Sequence, residues 1–116
     1  MATKPKNKFG ARKTQVNGIT FDSKREANRY RELLLLQRAG IVKDIELHPQ
    51  YVLIDKFKHK RTGKVIQPIK YTADFLVTYA DGHQEIEDAK GAITRDYALR
   101  KKLFYNRYPD LEIKEV

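Results

Sequence analysis

Between Tyr71 and Gly91, in YTADFLVTYADGHQEIEDAKG, β-branched and aromatic residues alternate with polar ones on both sides of Asp81-Gly82. That alternation predicts two β-strands joined by a tight turn, around which the rest of the chain is organised. Upstream, Gln15-Val16-Asn17-Gly18-Ile19-Thr20-Phe21 sets Asn-Gly between alternating residues, the signal of a short hairpin packed beside the first helix. That helix is expected from about Ser23 to Ala39, with Gly40 as its stop and Ala27, Tyr30, Leu33, Leu34 and Ile41 as its buried stripe. From Ile41 to about Lys58 the chain reads as extended, with Pro49 marking a bulge or an edge position. Arg61-Thr62-Gly63 turns it back, and Lys64 to Lys70 leads into the central hairpin. A second helix is expected from about Thr94 to Arg107, N-capped by Thr94, with Leu99, Leu103 and Phe104 facing the sheet. Leu111 to Val116 alternates as a last strand. This order of elements predicts an α/β (α+β) domain with a mixed central β-sheet flanked by helices.

Composition narrows the function. With 116 residues there is room for one modest core, here assigned to residues 16–116, and residues 1–15 read as a basic flexible arm. A formal charge of +9 points to a polyanionic partner, most simply DNA. The absence of cysteine excludes disulfides and thiolate metal sites. No apolar run is long enough to span a membrane, so an intracellular, cytoplasmic protein is expected. The cations fall in three clusters. Lys8, Arg12 and Lys13 belong to the arm, which is either a solvated tail or a phosphate-touching segment. Lys58, Lys60, Arg61 and Lys64 lie on the extended excursion, either protecting a strand edge or gripping DNA. Arg95, Arg100, Lys101 and Lys102 crowd the second helix, where only Asp96 offsets them, so a phosphate-tracking face is expected. His48 and His59 lack a metal-ligand spacing and read as surface or hydrogen-bonding histidines.

Two features of the central hairpin are hard to explain as structure alone. Asp74 falls inside the first strand, where aspartate is depleted, and Asp88-Ala89-Lys90 ends the second with an acid and a base on one face. A two-residue turn at Asp81-Gly82 would pair Phe75 with Asp88 and put Asp74 on a face with Glu87. A three-residue loop, Ala80-Asp81-Gly82 with glycine left-handed, pairs Tyr79 with His83 and Asp74 with Asp88. The second register is favoured, because it puts glycine where a positive φ is needed and gathers Asp74, Asp88 and Lys90. Two carboxylates and an ammonium at that distance make a hard-cation site with a water-positioning group beside it. Glu87 then points through the sheet to the other side, where a surface or supporting contact is expected. Glu26, in Ser23-x-x-Glu26, is either half of a capping box or an acid tilted toward the core and the site.

Asp74, then Asp88-x-Lys90 across a hairpin, preceded by a helix carrying Glu26, resembles the PD-(D/E)xK, or restriction-endonuclease-like, nuclease superfamily. The wider pattern, VNGITFDSKREANRY then YTADF then EDAKG, resembles small phage-type proteins of formerly unknown function placed near Holliday junction resolvases. Thr72-Ala73 stand where the superfamily's name puts a proline. The resemblance implies a restriction-endonuclease-like core and a Mg²⁺- or Mn²⁺-dependent endonuclease acting on branched DNA in phage recombination or replication. It implies Asp74, Asp88, the backbone carbonyl of Ala89 and Glu26 as metal ligands, with Lys90 orienting or deprotonating the attacking water. Symmetric cutting of a junction implies a homodimer. The competing reading is a non-catalytic basic nucleic-acid-binding module with a vestigial nuclease site.

Overall fold

Asn17 and Gly18 both take left-handed backbone, at φ 52° and 79°, the requirement of a two-residue type I′ turn. They join β1 (Thr14–Val16) to β2 (Ile19–Phe21) in a computed structural model that describes residues 13–116. Thr14 and Gln15 therefore belong to this hairpin and not to the arm. Val16 and Phe21 turn into a core beneath α1 (Lys24–Arg38). Ser23 caps that helix, its Oγ accepting from the Glu26 amide at 3.1 Å, and the chain leaves it through Gly40 at φ 80°. Ala27, Tyr30 and Leu33 are buried as the periodicity predicts, and Leu34 is partly so. Ile41 is half exposed, because the chain has already left the helix when it is reached.

Two long extended segments then run antiparallel: β3 (Val42–Leu47) into β4 (Gln50–Ile54), returning through β7 (Ile69–Thr72) into β8 (Phe75–Tyr79). Between them β5 (Phe57–Lys58) and β6 (Val65–Ile66) form a small ribbon whose tip turns at Gly63, φ 68°. Both long segments break at one level. His48-Pro49 separates the β3–β8 pair Leu47↔Phe75 from the β4–β7 pair Gln50↔Thr72, and Ala73-Asp74 lies opposite. Proline has no N–H to give to a ladder, so a break there costs no bond the chain could have made. Two bonds still cross it, from the His48 amide to the Asp74 carbonyl at 2.9 Å and from the Ala73 amide to the Pro49 carbonyl at 3.0 Å. The sequence pattern places Asp74 inside a strand, but it sits at a bend between two; the alternation of Tyr71 to Tyr79 runs straight through the bend and conceals it.

β9 (Gln84–Asp88), α2 (Arg95–Arg107) and β10 (Ile113–Glu115) complete the chain. The central sheet has the order β10-β9-β8-β3, parallel between β10 and β9 and antiparallel elsewhere, so the fold is a mixed α+β one. Side chains alternate across β8: Phe75 and Val77 join the α1 core, while Leu76 packs with Ile86, Tyr97, Phe104 and Ile113 beside α2. On that second face Phe104 is fully buried and Tyr97 nearly so, whereas Leu99 is 58% exposed, contrary to its expected inward position. Aromatic rings fill the space: Phe104 meets Tyr51 and Tyr71 edge-on at 5.3 and 5.6 Å. Truncating such a fully buried phenylalanine costs about 3–5 kcal/mol.

Candidate active site

The Tyr79 amide donates to the His83 carbonyl at 2.9 Å and Gly82 takes φ 94°, so Ala80-Asp81-Gly82 is the three-residue loop expected. The ladder runs Thr78↔Gln84 to Phe75↔Glu87, and one step further places Asp74 opposite Asp88. The Asp74 amide bonds to the Glu87 carbonyl at 3.1 Å, and the Ala89 amide donates back to Asp74 Oδ2 at 2.7 Å. Asp88 and Lys90 share a face, with Nζ 3.2 Å from Oδ1. On its other flank Asp74 faces His48 across the bend. Glu26 enters from the first turn of α1; its backbone satisfies the Ser23 cap while its carboxylate reaches His48 Nε2 at 3.1 Å. The cap and the inward contact are therefore both made, by different atoms of one residue.

Burial dominates the electrostatics. Asp74 is pushed well above the ordinary carboxylate range, chiefly by desolvation and further by the Asp88 and Glu26 charges, against the lowering effect of the Ala89 amide. Desolvation raises Glu26 too, and His48 moderates it. Asp88 is 1% exposed; the Tyr71 hydroxyl donates to its Oδ2, and burial together with Asp88 pushes that phenol up, so it stays a donor. Lys90 lies over the Tyr97 ring, 4.5 Å from its centroid, and the Tyr97 hydroxyl donates to Glu115 at 2.8 Å. Lys90 is thus positioned by a carboxylate and an aromatic face.

Glu26, His48 and Asp74 offer ligand atoms that all lie within 4.8 Å of one another. Carboxylate oxygens with one imidazole suit a hard or borderline divalent cation, so the residues present fit Mg²⁺ or Mn²⁺. Asp88 stands next to this group but is already engaged by Tyr71 and Lys90. Ala89 meets Asp74 through its amide; its carbonyl was the atom expected to bind metal. His48 is half exposed and hydrogen-bonded to Glu26, as expected of a surface or hydrogen-bonding histidine; its place beside Asp74 in a group of candidate ligands was not expected. Its signal was its place immediately before Pro49 between two strand-like runs, and its backbone is left-handed at φ 52°.

Glu87 points through the sheet as expected, but onto no surface. It is fully buried and paired with Arg29 of α1. Among the basic residues, Lys13, Lys58, Lys60, Arg61, Lys64, Arg95 and Lys102 are exposed. Arg100 is tied to Asp96 at 3.0 Å and to the Lys70 carbonyl, and Lys101 to Glu115 at 3.3 Å, so these two expected phosphate contacts already have partners within the fold. Lys8 and Arg12 lie outside the described residues.

Residues 6–116 match the family described as "Protein of unknown function (DUF1064)". The chain belongs to that family. No curated protein and no solved structure matches it. That description carries no activity. Among the described residues no helix is long and apolar enough to cross a membrane.

Proposed function

We propose that this chain is a metal-dependent endodeoxyribonuclease of the PD-(D/E)xK kind, hydrolysing phosphodiester bonds in branched DNA. The observation that carries the reading is the meeting of Glu26, Asp74, Asp88 and Lys90, from the first turn of α1, the bend before β8 and the end of β9. Glu26 and Asp74, with Asp88 beside them, would hold Mg²⁺ or Mn²⁺. When bound, such an ion supplies Lewis-acid stabilisation of charge on the phosphate oxygens and lowers the pKa of a coordinated water. Lys90, fixed by Asp88 and Tyr97, holds the attacking water in line with the scissile bond. Asp88 keeps the ammonium in place, and the Ala89 amide orients the Asp74 carboxylate. The exposed cations of the β5–β6 ribbon and of the start of α2 supply phosphate contacts outside the acidic centre. Paired incisions across a four-way junction need two such sites, hence a homodimer on that substrate.

One observation favours the non-catalytic alternative: Asp88 is already satisfied by Tyr71 and Lys90. Incubating the protein with linear, single-stranded, flap and four-way-junction DNA in Mg²⁺, Mn²⁺ or EDTA decides between them. Cuts that depend on the metal and favour branched substrates support the nuclease; retention of DNA with no cut in any lane leaves the binding module.

A further inference from the structure

We propose that His48 is a direct nitrogen ligand of the cation at this site, which makes the centre a two-carboxylate, one-imidazole site selective for a first-row transition ion such as Mn²⁺ over Mg²⁺. The inference rests on the reading above and deepens it by naming the class of metal. Its first support is distance. Two ligands about 2.1 Å from an octahedral ion and at right angles to each other lie about 3 Å apart. His48 Nε2 and Glu26 Oε1 are separated by 3.1 Å, and an Asp74 oxygen completes the group within 4.8 Å.

Charge is the second support. Lys90 compensates Asp88 at 3.2 Å, so Glu26 and Asp74 are the two carboxyls whose charge, once their protons leave, a divalent cation with a neutral imidazole balances. Glu26 is 6% exposed, and a buried carboxylate without such compensation is costly. Position is the third. His48 keeps a left-handed backbone at φ 52°, its amide donates a hydrogen bond to the Asp74 carbonyl, and its ring reaches Glu26. Its side chain is about half exposed at 52%, so an ion can reach the nitrogen from solvent. Mg²⁺ is served by carboxylate, carbonyl and water oxygens, whereas N-donor sites gain affinity along the first-row transition ions, of which Mn²⁺ is the weakest binder.

The test is pulsed electron paramagnetic resonance on the full chain loaded with Mn²⁺ and no DNA, reading electron spin-echo modulation from a directly bound ¹⁴N. The wild-type chain should show that modulation. His48→Asn and His48→Gly, both tolerant of left-handed backbone, should lose it, with folding checked by circular dichroism. Mn²⁺ affinity measured by titration calorimetry should fall by about 10-fold or more in these variants while Mg²⁺ affinity hardly moves. The chain has three histidines, so His59→Asn with His83→Asn must keep the signal. A wild-type chain without nitrogen modulation, a signal that persists without His48, or equal losses for both ions overturns the assignment. Failure here is separable from failure of the nuclease reading: DNA cleavage without the nitrogen signal sinks only the ligand, and the signal without cleavage sinks only the nuclease.

Discussion

Arg29 grips Glu87 with both prongs of its guanidinium, Nε to Oε1 at 2.7 Å and Nη2 to Oε2 at 2.6 Å, clamping α1 to β9 through a carboxylate that solvent does not reach. The pair holds the arginine firmly charged. Glu87→Gln leaves that cation facing a neutral amide in the interior. Breaking one side of a buried pair costs about 3–5 kcal/mol, and the lower end applies because Arg29 keeps Glu32 at 2.9 Å. Thermal unfolding should drop by on the order of 10 °C. A variant that melts with the wild type would show that the clamp contributes nothing.

The neighbouring acid should behave in the opposite way. Asp88→Asn keeps the shape and an acceptor for Tyr71, but it removes the charge that positions Lys90. Cleavage per folded molecule should be abolished, whereas Glu87→Gln, assayed well below its lowered melting point, should retain most of it. The reverse pattern, with Glu87→Gln inactive and Asp88→Asn active, would move the site to the α1 face of the sheet.

Lys90→Ala should leave Mn²⁺ binding and DNA binding nearly intact while suppressing cleavage, since an ammonium is no ligand for a cation. If Lys90 merely steadies Asp88, raising the metal concentration should restore activity. Rate measurements across a metal titration separate the two, and full recovery rules out a direct role in the chemistry.

The hairpin register could be read in advance because glycine permits few loops: Gly82 requires positive φ, and once it is placed at the third loop position, pairing of Asp74 with Asp88 follows. Both helix starts were legible for the same local reason, in Ser23 and Thr94. What the sequence hid is nonlocal. The bend at His48-Pro49 matters only because Ala73-Asp74 lies across from it, and no periodicity in either segment announces that meeting. Nothing in the sequence sets Arg29 apart from the other cations of α1, because Glu87, fifty-eight residues away in the chain, is its neighbour only in the fold. Likewise Arg100 and Lys101 read as free charge, because Glu115 and the Lys70 carbonyl are neighbours only in the fold.

The raised carboxyl of Asp74 makes the metal-free fold sensitive to pH. Its ordinary value is 3.8 and burial beside Asp88 and Glu26 lifts it to about 8, so the folded state keeps a proton that the unfolded chain has released. The stability this proton confers is complete below about pH 4 and declines as pH rises toward 8. Glu26, raised by burial, acts with the same sign. Asp81 and Glu115 are lowered and act oppositely, but both are exposed and titrate below this window. In EDTA the melting temperature should therefore fall from pH 5 to pH 8, and Mn²⁺ should restore it most at the alkaline end. Asp74→Asn should flatten the EDTA curve; a wild-type curve that rises over this range contradicts the assignment.

Residues 56–70 carry Lys56, Lys58, Lys60, Arg61, Lys64 and Lys70 with no acid among them, and the β5–β6 ribbon within this stretch is exposed along both strands. If the ribbon grips phosphates, each cation removed from it should shallow the plot of log affinity against log salt by about 0.9 for duplex DNA. Changing Lys58, Lys60, Arg61 and Lys64 together to glutamine should reduce the slope by about 3 to 4. Arg100→Gln with Lys101→Gln should change it little, because those side chains are already bound to Asp96, the Lys70 carbonyl and Glu115. The competing role for the ribbon charges is to keep an exposed edge, with Phe57 and Val65 each 48% exposed, from pairing with another chain. That role predicts a different failure: the fourfold variant would aggregate with concentration while its soluble fraction kept the wild-type salt slope. Fluorescence anisotropy on a labelled duplex at several salt concentrations, alongside light scattering, reads both, and an unchanged slope in a monodisperse variant removes the ribbon from the DNA interface.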